Sequence, residues 1–230
     1  MIAYIPARGG SKRIPRKNIK HINGKPIIAY TIESLIKLDF IEKVYVSTDD
    51  LEIRDVAESF GAICLELRSP NLANDTAGFI DLIKKDLNRF CDESKSEEVL
   101  FVLPTAALVP SSIYIDAYKK YTSAKPEVLM SCEPFDVSPL WAMQQKDDGY
   151  WYPLFPEKVL MSSHDLPKIL VDAGLFYFFN LSSIIKYSSL KLVDCLLPFE
   201  VPSIYRGDID TPGDWEMMEE KFHKLENNNE

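Results

Sequence analysis

Short apolar runs alternate along the chain with amphipathic segments of helical period. The runs that predict β-strands are IAYIP (Ile2 to Pro6), KVYVST (Lys43 to Thr48), AICLEL (Ala62 to Leu67), EVLFVLP (Glu98 to Pro104) and EVLMSC (Glu127 to Cys132). Helical segments follow Pro26 and Asp50, and Gly61 is placed to end the second as a C-cap. This alternation predicts an α/β fold, namely a Rossmann-like, mostly parallel sheet with helices on both faces.

The pattern changes after Cys132. The segment 133–168 contains five prolines, a DDG turn signal, and the aromatic residues Trp141, Tyr150, Trp151, Tyr152 and Phe155. We interpret it as a hairpin-bearing insertion in a single domain that spans residues 1–230. Its aromatic side chains have two possible roles: they cover the core, or they form a dimerisation element. Two further strands (Ala173 to Asn180 and Cys195 to Val201) and a last helix from Pro212 complete the prediction.

Positive charge is concentrated between Ile5 and Pro26, in IPARGGSKRIPRKNIKHINGKP. The stretch holds Arg8, Lys12, Arg13, Arg16, Lys17, Lys20 and Lys25, and no Asp or Glu precedes Glu33. The whole chain has a formal net charge of −9, which argues against a nucleic-acid partner and makes this basic stretch a local feature. It follows the first strand, where open α/β sheets bind ligands.

Glycines and cations in such a loop suit phosphate oxygens. Gly9 and Gly10 allow the backbone to approach a ligand, and Arg and Lys side chains supply the charge. A merely solvated basic face is the alternative. Neither the G-x-x-x-x-G-K-[ST] nor the G-x-G-x-x-G pattern occurs, which excludes two familiar classes of nucleotide-binding loop.

Other function classes find no support in the residues. Cys64, Cys91, Cys132 and Cys195 are widely separated, so we expect free thiols and neither a zinc site nor a disulfide framework. The three histidines form no spacing typical of a Ser/His/Asp or Cys/His site. There is no signal-like start and no long apolar run, which predicts a cytoplasmic protein with no membrane partner.

The segment ARGGSKRIPRKNIK, Ala7 to Lys20, resembles the signature loop of the acylneuraminate (nonulosonic acid) cytidylyltransferases. Its KRIPRKN form is most similar to the pseudaminic acid members. Further similar segments are GKPIIAYTI (from Gly24), VSTDD (from Val46), RSPNLANDTAG (from Arg68), DAGLFYF (from Asp172) and GDIDTPGDW (from Gly207). The resemblance implies a nucleotidyltransferase-type fold and transfer of CMP from CTP to a nine-carbon 2-keto sugar acid, with release of pyrophosphate. Pseudaminic acid is the first candidate acceptor, and a sialic or legionaminic-type acid is the second. A homodimer that exchanges the insertion is also implied.

The same resemblance assigns residues to the site. The implied nucleotide-binding residues are Ala7, Arg8, Gly9, Gly10, Ser11, Lys12, Lys17, Asn18, Arg68 and Ala77. Within this set Arg8, Ser11, Lys12 and Lys17 would hold the triphosphate, and Asn18, Arg68 and Ala77 would lie near the cytidine. The implied catalytic residues are Arg8, Lys12, Lys17 and Asp210. Positive charge around the transferred phosphate is what such a reaction requires, because positioning and electrostatics supply most of its catalysis.

Asp208 and Asp210 are two residues apart, so on an extended segment both carboxylates project to one side. Beside a triphosphate, two such oxygen ligands suit Mg²⁺. Capping of the helix that begins near Pro212 is the alternative, and the family resemblance favours the metal. We expect Asp214 to be an ordinary first-turn residue, and Asp49 and Asp50 to cap a helix.

The sugar side of the resemblance is weaker. Leu103, Val171 and Leu175 stand where members of the family carry polar residues. Two rival functions follow: a non-catalytic relative that binds a nucleotide or a sugar, and a uridylyl- or guanylyltransferase on a related fold. Arg8, Lys12, Asp208 and Asp210 argue against the first of these, and the form of the glycine-bearing loop argues against the second.

Overall fold

The computed structural model describes residues 1–69, 72, 79–207 and 209–227. The strands within these residues are β1 Ile2–Pro6, β2 His21–Ile22, β3 Lys25–Pro26, β4 Lys43–Ser47, β5 Glu98–Val102, β6 Val128–Pro134, β7 Met143–Gln145, β8 Trp151–Pro153, β9 Leu170–Asn180 and β10 Leu196–Glu200. A six-stranded sheet of the described residues has the order β10-β6-β9-β5-β1-β4. Two short antiparallel pairs, β2 with β3 and β7 with β8, lie outside it.

Helices follow the strands as the periodicity predicts. Those in the described part of the chain are α1 Ile27–Ile36, α2 Leu51–Ser59, α3 Phe79–Leu82, α4 Asn88–Ser94, α5 Ser111–Ala124, α6 Leu181–Ile184 and α7 Pro212–Asn227. A π-helical turn, Ile83–Leu87, joins α3 to α4. Asp50 caps α2 as expected, because its carboxylate accepts a 3.1 Å hydrogen bond from the Ile53 N–H.

The sheet is buried on both faces. Ala3 and Ile5 of β1 pack in one apolar cluster with residues of α1, α2 and α5. Ile2 and Tyr4 pack on the other face, with residues of α4 and α6. Successive side chains of a strand point to opposite faces, and this explains why IAYIP is continuously apolar. The predicted α/β sheet with helices on both faces is confirmed.

One strand of the sheet runs against the others. β1 is parallel to β4 and β5, and β10 is parallel to β6, whereas β9 is antiparallel to both β5 and β6. The chain leaves β6 at the carboxyl edge of the parallel strands, and the insertion 133–168 follows on that side. When the chain returns directly into the sheet it must therefore enter β9 from the same edge. The sheet is mostly parallel, as predicted.

The strand predicted over Ala62 to Leu67 is wrong. Only Ile63 forms a bridge there among the described residues, and its partner is Tyr45. The Ile63 N–H donates to the carbonyl of Val44, and its carbonyl accepts from the Val46 N–H. The chain then leaves the edge of the sheet and reaches Arg68, whose N–H donates to the carbonyl of Thr48. This crossing to the end of β4 prevents a longer ladder.

The predicted insertion contains the hairpin of β7 and β8, in which Met143 pairs with Pro153. Its aromatic side chains do not cover the core of this chain. Tyr150 is 70% exposed and Trp151 is 61% exposed, while Leu160 nearby is 95% exposed. The core-covering role is therefore wrong, and the insertion presents an apolar surface that other residues of the described chain leave uncovered.

Candidate active site

The loop after β1 is anchored to the neighbouring strand at its first residues. The N–H of Ala7 donates a 2.8 Å hydrogen bond to the carbonyl of Ser47, and the N–H of Gly9 donates to Asp49 Oδ1 at 2.9 Å. A Cβ at Gly9 would lie 2.7 Å from Asp50 Oδ2, which is closer than any side chain permits. Gly9 is thus required for packing against the start of α2. A Cβ added at Gly10 would have no neighbouring atom within 4 Å, so the space beside Gly10 is open.

Arg16 anchors the far end of the same loop. It has a left-handed backbone, with φ of 57°, and its guanidinium binds the two Asp50 oxygens at 2.5 and 2.9 Å and also contacts Glu52. The hydrogen bond from Arg16 lowers the pKa of the Asp50 carboxyl, and the backbone N–H of Ile53 adds to this. The loop therefore closes back onto α2 through a bidentate ion pair.

Between these anchors the basic side chains converge on a pocket of about 340 Å³. The described residues that line it are Arg8, Ser11, Lys12, Arg13, Ile14, Lys17, Asn18, Ile209 and Asp210. Among them are four cationic side chains and one carboxylate. Asn18 is itself buried, and its Nδ2 donates a 2.9 Å hydrogen bond to the carbonyl of Arg8. Such a cluster of cations beside a glycine-bearing turn is suited to a multiply charged anion.

The other wall of this pocket comes from the segment before α7, nearly 200 residues further along the chain. Gly207 lies against the chain that follows β5, where an added Cβ would be 2.3 Å from the carbonyl oxygen of Thr105. Lys17 Nζ donates to the carbonyl of Ile209 at 2.6 Å, and Arg13 Nη2 donates to Asp210 Oδ1 at 2.7 Å. The two parts of the site are thus joined through their own hydrogen bonds.

Asp210 does not cap α7. The cap is a reciprocal pair: the Asp214 N–H donates to Thr211 Oγ1, and Asp214 Oδ2 accepts from the Thr211 N–H at 2.7 Å. Hydrogen bonds from the Thr211 hydroxyl and from the backbone N–H groups of Asp210 and Thr211 lower the pKa of Asp214. With the helix end satisfied in this way, the carboxylate of Asp210 faces the pocket, where 44% of its side chain is exposed. Asp208 lies outside the described residues.

A divalent metal is compatible with this arrangement. In the described part of the chain there is no group of three or more His, Cys, Asp or Glu side chains arranged as a metal cage. Mg²⁺ does not need one, because it is commonly held by one or two carboxylates together with phosphate oxygens and water. A half-exposed carboxylate in a pocket of cations fits that donor set, and Asp210 is the described residue that supplies it.

Several predicted site residues lie elsewhere. Ala7 is fully buried in the core beneath the loop. The guanidinium of Arg68 is 2% exposed; it donates to the Ser47 carbonyl at 2.5 Å and to the Ser47 hydroxyl at 3.1 Å, and it lies 3.8 Å from the buried carboxylate of Asp86. Arg68 therefore has a structural role at the end of β4, and its place beside the cytidine stays a prediction. Ala77 lies outside the described residues.

Sequence reasoning overlooked three residues of the site: Arg13, Arg16 and Asp49. Arg13 belongs to the basic stretch, but its partner Asp210 is 197 positions away, and no local spacing indicates the pair. Arg16 and Asp49 hold the loop and lie beside the pocket. Asp49 was expected to cap a helix, yet its carboxylate accepts from the Gly9 N–H instead. The cluster of cations was the only sequence signal for this group.

A second cavity of about 510 Å³ lies at the carboxyl end of β6 and the start of β9, and its lining includes Glu133, Phe135, Val171, Asp172 and Arg206. Arg206 is four residues before Asp210, which lines the basic pocket. A third cavity, of about 570 Å³, is lined by Met1, Glu98 and Asn180 and lies at the opposite edge of the sheet. Size alone does not identify the site.

The three apolar departures from the family pattern have different surroundings. Leu175 is fully buried in the core. Leu103 packs at the edge of the second apolar cluster. Val171 alone lines the 510 Å³ cavity.

Comparison with known sequences agrees with this geometry. Residues 2–112, which include the basic loop, match the cytidylyltransferase family. A pseudaminic acid cytidylyltransferase from Campylobacter jejuni is 35% identical over 179 residues, which are 77% of this chain and 77% of that protein. The chain belongs to the cytidylyltransferase family.

Further relatives extend the likeness of this cytidylyltransferase beyond the matched region. A CMP-N,N'-diacetyllegionaminic acid synthase from Legionella pneumophila is 31% identical over 224 residues, covering 95% of this chain and 94% of that one. The fold is also that of CMP:2-keto-3-deoxy-manno-octonic acid synthetase solved in complex with CTP, with a TM-score of 0.70, 18% identity, and 97% and 98% of the two chains covered. That structural likeness supports the nucleotidyltransferase fold alone. In the described part of this cytidylyltransferase, no helix combines the length and apolarity that crossing a bilayer requires.

Proposed function

We propose that this cytidylyltransferase transfers CMP from CTP to a nonulosonic acid and releases pyrophosphate, with pseudaminic acid as the first candidate acceptor. A sialic or legionaminic-type acid is the second candidate. The observation that carries the proposal is the pocket in which Arg8, Lys12, Arg13 and Lys17 face Asp210. The relatives named for pseudaminic and legionaminic acids support the choice of acceptor class.

The residues of the pocket fit the demands of the reaction. The anomeric hydroxyl of the acceptor gives up its proton to solvent as its oxygen forms a bond to the α-phosphorus, and the bond to the departing pyrophosphate breaks. Negative charge grows on the phosphate oxygens and on the leaving group, and preorganised cations stabilise it. Lys12, Arg8 and Lys17 would bind and orient the triphosphate. Asp210 would hold Mg²⁺, with Asp208 as the second candidate ligand. When bound, the metal neutralises phosphate charge.

The 510 Å³ cavity is the site that we propose for the acceptor. The 510 Å³ cavity has a size typical of small-molecule sites, and it combines apolar side chains such as Phe135 and Val171 with the charged groups of Asp172 and Arg206. A hydroxylated, N-acylated sugar acid presents matching apolar and polar groups.

A homodimer belongs to the same proposal. The insertion exposes Tyr150, Trp151 and Leu160, and exposed aromatic side chains are enriched at protein interfaces. A second copy of this chain is the partner that we propose for it. A cytoplasmic location, and the absence of nucleic-acid and membrane partners, stay predictions.

The function is tested by measuring pyrophosphate release from CTP and Mg²⁺ with a panel of pseudaminic, legionaminic and sialic acids. We expect release with at least one acid, and much slower release when UTP replaces CTP. Lys12→Ala is the control against a contaminating enzyme, because loss of one preorganised donor should lower the rate by about two to three decades. Absence of release with every acid would favour a non-catalytic binding protein. Equal turnover with UTP would contradict the cytidine preference.

A further inference from the structure

Glu133 is a buried carboxylate that lines the 510 Å³ cavity together with Arg206. It lies near the end of β6, where the insertion 133–168 begins, and only 8% of the residue is exposed. Its Oε2 accepts a 2.7 Å hydrogen bond from Nε of Arg206, with which it forms an ion pair. Burying a carboxylate is costly unless a cation compensates for the lost hydration. The pair therefore ties the start of the insertion to the loop that follows β10.

Arg206 is held at both ends and lies next to the segment that forms a wall of the basic pocket. Its carbonyl accepts a 3.0 Å hydrogen bond from Lys221 Nζ on α7. The next residue, Gly207, is packed against the Thr105 carbonyl so closely that no Cβ fits. Four residues span at most about 14 Å, so Arg206 and Asp210 stay within that distance of each other.

At the pocket end of this segment Ile209 is anchored in an apolar cluster and by the hydrogen bond from Lys17 Nζ to its carbonyl, whereas the carboxylate of Asp210 has a weaker anchor. The ion pair of Arg13 with Asp210 is exposed, with 67% and 44% of the two side chains accessible. Exposed ion pairs contribute little and are screened by salt. The Glu133–Arg206 pair, in which 10% and 40% of the two side chains are accessible, is the less exposed of the two ion pairs, and it holds the chain four residues before Asp210.

We propose that the Glu133–Arg206 ion pair positions the carboxylate of Asp210 beside the basic loop, and thereby couples the insertion to the basic pocket. Both members are positioning residues, because neither lines the basic pocket and each acts on Asp210 only through the chain. The structural part of this inference is independent of the reaction, whereas its kinetic consequence rests on the proposed function. Direct contact between Arg206 and the acceptor is the competing explanation.

The structural part is tested by hydrogen–deuterium exchange on the free protein, followed in a peptide that covers residues 204–211. Glu133→Gln should speed exchange there by at least about threefold, because local opening becomes easier when the anchor is lost. Glu200→Gln is the matched control. It breaks the exposed ion pair with Lys168 at the other end of the insertion and should leave exchange of this peptide unchanged. Arg206→Gln, which changes the more exposed partner, tests the same claim if Glu133→Gln fails to fold.

The kinetic part compares the Mg²⁺ requirement with the acceptor KM. Glu133→Gln and Arg206→Gln should each raise the Mg²⁺ concentration for half-maximal activity by about tenfold, because loss of groups that orient metal ligands weakens metal binding. Arg206→Lys keeps the charge and should restore much of the difference. Unchanged exchange in folded Glu133→Gln and Arg206→Gln would overturn the inference, as would an effect confined to the acceptor KM. The exchange measurement decides the structural part even if no acid proves to be a substrate.

Discussion

At the scale of single residues, Asp210 is available for chemistry because its neighbours complete the helix. Thr211 and Asp214 satisfy each other at the start of α7, so the capping that spacing alone also allowed for Asp210 is not needed. The carboxylate of Asp210 instead contacts Arg13 and lines the basic pocket. We therefore expect substitution of Asp210 to affect activity and substitution of Asp214 to affect stability.

Asp210→Asn should leave the fold intact and remove the activity. The variant keeps the size of the side chain, and the exposed ion pair that it loses contributes little to stability. We expect Tm to change little and pyrophosphate release to fall by at least about a hundredfold, because metal stabilisation of a transferred phosphate is worth several kcal/mol. Higher Mg²⁺ should partly rescue the rate.

Asp214→Ala is the matched control and should show the opposite pattern. Loss of a cap costs about 1 kcal/mol, which corresponds to a fall in Tm of about 2 to 4 °C for a domain of this size. Its effect on the rate should be much smaller than that of Asp210→Asn. Full activity and unaltered Mg²⁺ dependence in Asp210→Asn would contradict the metal role, and Asp208 would then have to be tested alone.

At the scale of elements, the basic loop owes its shape to α2. Gly9 packs on Asp50, Asp49 accepts from the Gly9 N–H, and Arg16 returns to Asp50 from the other end of the loop. The N-terminal turn of α2 therefore supplies both anchors. Asp49 and Asp50 bind Gly9 and Arg16 at the two ends of the loop. The cations between these ends line the pocket.

This anchoring predicts a pH-dependent stability difference for Arg16→Gln. Arg16 lowers the pKa of Asp50 in the folded protein, whereas in the unfolded chain the Asp pKa is near its usual value of about 3.9. The ion pair therefore stabilises the fold above that value, and its contribution is lost as the pH falls through the folded pKa. The urea midpoint of Arg16→Gln should be lower than that of the wild type at pH 7, and the gap should narrow below about pH 4.

Arg54→Gln serves as the control, because Arg54 pairs only weakly with the exposed Asp55 on the same helix. Its midpoint should stay close to that of the wild type at both pH values. A gap for Arg16→Gln that is the same at pH 3 and pH 7 would show that the lost contact is not the ion pair.

Periodicity predicted most elements of this fold, and its failures have physical causes. The apolar runs of β1, β4 and β5 are readable because both faces of each strand are buried. The direction of β9 is not encoded in its own residues; it follows from where the insertion returns the chain. Ala62 to Leu67 has the composition of a strand, but the route to Arg68 takes it off the sheet.

The candidate site was readable in part. Glycines and cations in one loop predict an anion site from local sequence, and the family resemblance predicts Asp210 as a metal ligand. The burial of Arg68 against Ser47 and the pairing of Arg13 with Asp210 depend on contacts between distant parts of the chain. Such contacts are set by tertiary packing, and a local spacing pattern carries no information on them.

At the scale of the whole molecule, the insertion carries large apolar side chains that the rest of the described chain does not cover. Trp151 is 61% exposed and Phe155 is 39% exposed, although side chains of this size usually find cover. A second copy of the chain is the proposed cover.

Replacing Trp151 and Phe155 by Ser should convert a dimer into a monomer, because a few buried aromatic anchors carry most of the binding energy of an interface. Sedimentation velocity at micromolar concentration measures the change. Leu51→Ser is the control, since Leu51 on α2 is also exposed, at 55%, but lies outside the insertion. A wild-type protein that sediments as a monomer would remove the premise.

The join between the two walls of the pocket has a consequence for how the protein is made. Lys17 and Ile209 are 192 positions apart, and Arg13 and Asp210 are 197 apart. A ribosome adds about 5 to 20 residues per second, so the cationic loop emerges roughly 10 to 40 s before its acidic partner exists. During that interval β1 can already pair with β4 and then β5, and the basic loop can bind Asp49 and Asp50 before Asp210 is made. The basic pocket is therefore among the last features to form during synthesis.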